Sequence, residues 1–109
     1  MNNLSLDDQL KLALACGYED AVRHNDAEIL LYPDNTWEDI FNPRDPDTLM
    51  RLCFELRVSV AFDIRTYGWF VDYWYKNRLI LIKENMRTQE EIADAIIECS
   101  LQVIKERGE

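Results

Sequence analysis

Between residues 58 and 83 three apolar-rich runs, "VSVAFDI", "WFVDYWY" and "LILIK", follow one another with only "RTYG" and "KNR" between them. Alternation with a period of two marks a strand, because successive side chains point to opposite faces. Links of three or four residues join antiparallel neighbours and are too short for a crossover. The predicted centre of the fold is therefore a three-stranded antiparallel meander. In the first run Val58, Val60, Phe62 and Ile64 share one face against Ser59, Ala61 and Asp63. In the second, Trp69, Val71, Tyr73 and Tyr75 oppose Phe70, Asp72 and Trp74.

Helices are expected on either side of this meander. "LSLDDQLKLALACG" places Leu6, Leu10, Ala13 and Leu14 at helical spacing, with Ser5 as N-cap and Gly17 as the left-handed stop. "RDPDTLMRLCFELR" starts with Asp45 as N-cap, Pro46 at the first helical position and Asp47 facing the positive end of the dipole. "TQEE" puts Thr88 and Glu91 in a capping box ahead of an apolar-rich helix over 89–106. Residues 18–44 are the least regular part. "YPDN" is a turn signal, "AEILLY" reads as a strand or a helical turn, and "NTWEDIF" suggests one more turn of helix. The expected fold is one α+β domain over 1–109, a three-stranded meander packed by two or three helices. Its order is α, irregular segment, α, β, β, β, α.

Charge divides the chain. Of its 109 residues, 21 are acidic and 12 basic, for a net charge of −9. Residues 1–50 hold 11 acids against three bases, and residues 51–109 hold 10 against nine. A field of this sign repels nucleic acid backbones, anionic lipid and anionic substrates, and attracts basic surfaces. No apolar run nears the roughly 18 residues of a membrane span. "MNNLSLDDQL" lacks the pattern of a secretion signal, so a protein that is not exported is expected. Cys16, Cys53 and Cys99 have no metal-site spacing and read as reduced, buried thiols.

Six rings lie between Tyr67 and Tyr75. Rings on a strand stack bases in some proteins, but a stacking platform needs a positive groove. Here Asp72 sits mid-strand and only Arg65, Lys76 and Arg78 flank the run. Core packing with a few half-exposed rings is the expected outcome, and a protein-binding face is the other use for such a strand. Catalytic patterns are missing. His24 is the one histidine and reads as a solvated loop residue, and three glycines cannot make a phosphate loop. Asp63 and Asp72 fall on neighbouring strands and are expected to be exposed and solubilising. Glu91, Asp94 and Glu98 form an acidic stripe on the last helix. No catalytic residue, metal or cofactor is expected.

"SLDDQLKLALACGYE", the Pro/Asp-rich lead into "ELRVSV", and "YGWFVDYW" followed by "TQEEIADAIIECSLQVI" together resemble a group of small bacteriophage proteins. They are grouped as phage α/β/α ("ABA") sandwich domain and NinX-like proteins. The likeness covers most of the chain. It implies a phage or prophage origin and a place in the host bacterial cytoplasm. The family has no generally assigned activity, so it supplies no site residue.

The expected function is a non-enzymatic, phage-encoded binding protein that inhibits a host defence or nucleic-acid-handling complex, as an anti-CRISPR does. It would dock its acidic half on a basic surface of a host protein, without touching nucleic acid or membrane. Asp34, Glu38, Asp39, Asp45 and Asp47 are the expected carboxylates of that surface, and Trp37 its hydrophobic anchor. The alternative is a structural or accessory phage protein that forms a homodimer or larger homo-oligomer through an aromatic sheet face.

Overall fold

The computed structural model describes residues 4–24, 28–31 and 39–108. Helix α1 spans Leu6–Ala15, α2 Pro46–Leu56 and α3 Gln89–Glu106. Their starts follow the capping chemistry of the sequence. Ser5 Oγ accepts from the Asp8 amide at 3.1 Å. The Asp45 carboxylate accepts from the Asp47 amide at 3.3 Å, with Pro46 at the first helical position. Thr88 and Glu91 complete the capping box: the Thr88 hydroxyl accepts from the Glu91 amide, and the Glu91 carboxylate accepts from the Thr88 and Arg87 amides. These bonds hold the Glu91 carboxyl below the usual carboxylate range. Gly17 follows α1 with φ +96°, a conformation that a Cβ would strain.

The meander is present as β4 (Val58–Asp63), β5 (Gly68–Tyr75) and β6 (Arg78–Met86), antiparallel in the order β4-β5-β6. Arg57, left-handed at φ 59°, is the only residue between α2 and β4. Lys76 and Asn77 both have positive φ, the geometry of a two-residue hairpin turn matched to strand twist. The third strand runs past "LILIK" to Met86, which pairs with Trp69. Two register shifts between β5 and β6 accommodate the extra length, and Asn85 takes φ 61° there.

Gly68 lies against this irregular stretch. A Cβ at Gly68 would stand 2.8 Å from the Asn85 Cα, closer than carbon atoms tolerate. Gly68→Ala is expected to cost about 1–3 kcal/mol by forcing the two strands apart. Urea melts of the variant and wild type measure this, and an unchanged midpoint would contradict it.

A second sheet corrects the expected order. β1 (Val22–Arg23), β2 (Ile29–Leu31) and β3 (Asp39–Ile40) pair antiparallel within the segment read as irregular. "AEILLY" thus contains a strand, and Asp39–Ile40 is strand where "NTWEDIF" suggested helix. The physical reason is tertiary. Ile29, Leu31 and Phe41 are buried in the same core as Leu12 of α1, and the Phe41 amide donates to the Ile29 carbonyl at 2.9 Å. Burial, rather than local propensity, sets these short pairings.

The helices touch one another and lie between the sheets. The large sheet packs on α2 and α3, and the small sheet packs on α1. Leu12, Leu52, Val71, Tyr73, Ile97 and Ile104 are among the core residues this layering removes from water. Among the ion pairs that tie distant segments are Arg23 with Asp7 across the α1 side and Arg44 with Asp94 between the approach to α2 and α3.

Candidate functional site

Residues paired across neighbouring strands share a face, so the register sorts the large sheet into two surfaces. Val58, Tyr73 and Ile80 form one row, and Val60 and Val71 another. All five belong to or pack against the core, which makes this the helix-covered inner face. Ser59, Asp72 and Leu81 form a row on the opposite face, Ala61 and Phe70 a second, and Trp74 and Leu79 a third. No described element packs over those rows. Trp74 is 59% exposed, Leu79 53% and Leu81 50%.

This outer face continues onto α2. An open groove beside β4 is lined by Phe54, Ser59 and Trp74, with Glu55 and Arg57 as its charged residues. Phe54 is 81% exposed, and Met50, one helical turn before it, is also largely exposed. Together these side chains present an apolar surface on the order of several hundred Å². That exceeds what isolated surface leucines leave in view and matches the patches that serve as interaction sites.

The outer face has little charge of its own. Residues 57–87 hold three acids and six bases, the reverse of the chain as a whole. Most of those bases are engaged away from the exposed rings. Arg65 is bonded to Asp63, Lys83 pairs with Glu98 of α3, and Lys76 lies over the Tyr75 ring. Arg87 donates to the Tyr67 and Thr66 carbonyls, tying the β4–β5 turn to the start of α3. Arg57 is the cation that lines the groove with Trp74. Arg78 stands opposite Tyr75 at the hairpin turn.

The second ring cluster sits at the hairpin end. Phe62 packs edge-on to Trp69, with centroids 5.3 Å apart, and to Tyr67 at 6.5 Å. Tyr73 is buried, whereas Tyr67 and Trp74 are exposed. Core packing thus claims only part of the aromatic run.

Asp72 corrects the expectation of an exposed carboxylate. It is 5% exposed, although it stands on the uncovered face. Its own sheet neighbours account for this: Phe70 and Trp74 flank it along β5, with Ser59 and Leu81 across the strands. Loss of water pushes its carboxyl above the usual range, and the Ser59 hydroxyl partly offsets the rise by hydrogen bonding. Asp63 is no partner to it, since Asp63 pairs with Gly68 at the far end of the hairpin. The Arg65 amide at 2.9 Å and its guanidinium hold the Asp63 carboxyl low. The two acids titrate in opposite directions for separate reasons and do not form an acid–base dyad.

The residues singled out for partner docking are dispersed in role. Asp39 is exposed on β3 and accepts from the Ile40 amide at 2.9 Å. Asp45 and Asp47 are exposed and linked at the start of α2, where Asp45 caps the helix. Asp34, Trp37 and Glu38 lie outside the described residues. His24 is exposed, with its amide bonded to the Glu28 carbonyl. Burial pushes the Cys16 thiol to about 11 and Cys99 to about 12, and also raises Cys53, so none is a thiolate at neutral pH. Among the described residues no group of three His, Cys, Asp or Glu is placed to hold a metal ion, and no helix is long and apolar enough to cross a membrane.

No family model, curated protein or solved structure gives a match to this chain.

Proposed function

We propose that this is a non-enzymatic binding protein whose outer sheet face, from Phe54 through Trp74 to Leu81, pairs with a second copy of the same chain. The uncovered apolar surface carries this reading. An exposed apolar patch of several hundred Å² can form the centre of a standard interface of roughly 800 Å² per partner. Its charge favours self-pairing: two chains of net charge −9 repel through their acidic halves and meet with least repulsion where charges nearly balance. Two such faces would stack about 10 Å apart as a sandwich.

The test is the mass in solution. Wild type should be a dimer at micromolar concentration by light scattering. Trp74→Glu, which sets a charge in the centre of the contact, should be a monomer. A wild type that stays monomeric at high concentration would sink the reading.

A second reading concerns the other end of the molecule. Asp39, Asp45 and Asp47 are exposed within a half that carries 11 acids and three bases, which favours docking on a basic protein surface. The resemblance to small bacteriophage proteins supports a host bacterial cytoplasm as the setting and a host complex as the target, so that inhibition is the outcome. Self-pairing through the large sheet would leave an acidic end free on each copy. Asp39→Lys with Asp47→Lys should weaken host-protein capture at low salt and flatten its salt dependence, leaving the dimer intact. Equal capture by both proteins at every salt concentration would remove the electrostatic model.

A further inference from the structure

The middle of the open face holds a carboxyl group in an apolar frame. Asp72 lies between Phe70 and Trp74 on the central strand, opposite Ser59 on β4 and Leu81 on β6. Only 5% of it is exposed, and Ser59 stands directly opposite it on β4. A buried carboxylate is costly unless a cation or several donors compensate.

The charged groups on the surrounding elements do not supply that compensation. On β4, Asp63 is engaged with Arg65 at the hairpin end. On β6, Lys83 turns to Glu98 of α3, while Arg78 sits opposite Tyr75 and Glu84 is exposed. Beside Ser59 and Trp74 the groove is lined by the Cys53 thiol and Glu55 of α2 and by Arg57. From α3 the titratable neighbour is the Cys99 thiol, whose pKa the Asp72 charge helps to raise. Lost water is the main influence on Asp72, and among the described residues the Ser59 side chain is what offsets it in part.

We propose that Asp72 makes pairing of the two sheet faces proton-dependent, with the faces closing when its carboxyl is neutral and separating when it is ionised. This rests on the self-pairing reading above. A neutral carboxyl has an O–H to donate and adds no charge, so two faces can meet as a continuous apolar surface. Two ionised carboxylates would instead be trapped between the sheets, each without a cation. Pairing removes the water still reaching Asp72, which favours the protonated form further. The pair therefore takes up protons as it forms, so its affinity rises as pH falls and weakens as pH rises. Each proton taken up changes the association constant about tenfold per pH unit within the titration range.

Sedimentation of wild type and Asp72→Asn from about pH 8 down to about pH 4, the ordinary carboxylate range, tests this. Wild type should tighten at least tenfold as pH falls. Asp72→Asn keeps every other carboxylate, so its slope reports the general loss of negative charge. It should be markedly shallower, with pairing at the alkaline end close to that of wild type at the acid end. Ser59→Ala removes the bond that favours the ionised form and should move the wild-type transition to higher pH. A dimer whose affinity has the same slope in wild type and Asp72→Asn would overturn the proton dependence while leaving self-pairing intact. Monomers in both proteins at every pH would overturn both.

Discussion

Tyr73→Ala is expected to remove about 3–5 kcal/mol of folding stability. Tyr73 is buried in the central strand of the large sheet, in one row with Val58 and Ile80 and under the helix layer. Its ring belongs to the core cluster that includes Ile97, Cys99 and Val103 of α3. Truncation removes the ring and leaves a cavity that three adjoining elements cannot close without moving. Against a typical total of 5–15 kcal/mol, the loss would leave much of the chain unfolded near physiological temperature. Thermal and urea denaturation measure it directly. A loss below about 1 kcal/mol would show that the site collapses and that the helices are not fixed on this ring.

Trp74→Glu, one residue along, should do nearly the opposite. Trp74 is 59% exposed, so its replacement should change monomer stability by no more than about 1 kcal/mol, through strand propensity and lost surface contacts. A tryptophan central to an interface commonly contributes 2 kcal/mol or more to binding, equivalent to at least a thirtyfold weaker dimer. The introduced carboxylate would stand on the same face as Asp72 and add to the repulsion. Adjacent residues on one strand thus separate folding from association. If Trp74→Glu unfolds the protein, the outer face is part of the core, and the assignment of the two faces is mistaken.

The elements legible in the sequence are those whose signals are local. Ser5, Asp45 and Thr88 name the starts of three helices because capping depends on a few neighbouring atoms. The alternation in 58–75 sorts Val71 and Tyr73 from Phe70 and Trp74 correctly because the period is fixed by backbone geometry. The small sheet was hidden. Strands of two or three residues are too short to alternate, and Ile29, Leu30 and Leu31 are all buried. Nothing local separates such a run from a helical turn.

The burial of Asp72 is hidden from the sequence for a different reason. An acid in an alternating strand suggests the solvated face, and the face is indeed open. What sequence alternation does not convey is that Phe70, Trp74 and Leu81 are bulky enough to shield a short side chain among them. The signal was available in the spacing, since large residues two positions to either side crowd the same surface. Of the docking acids, Asp45 is marked by the sequence as a helix cap as well, and the cap is the role the structure shows for it.

The free margin of β6 bears on what happens when the protein is concentrated. Its two slips against β5, the kinked backbone at Asn85 and the charged residues Lys83 and Glu84 make a poor template for a further strand. Lateral growth of the ribbon into fibrils is thereby discouraged at that margin. Crowding should yield finite, closed particles that redissolve on dilution.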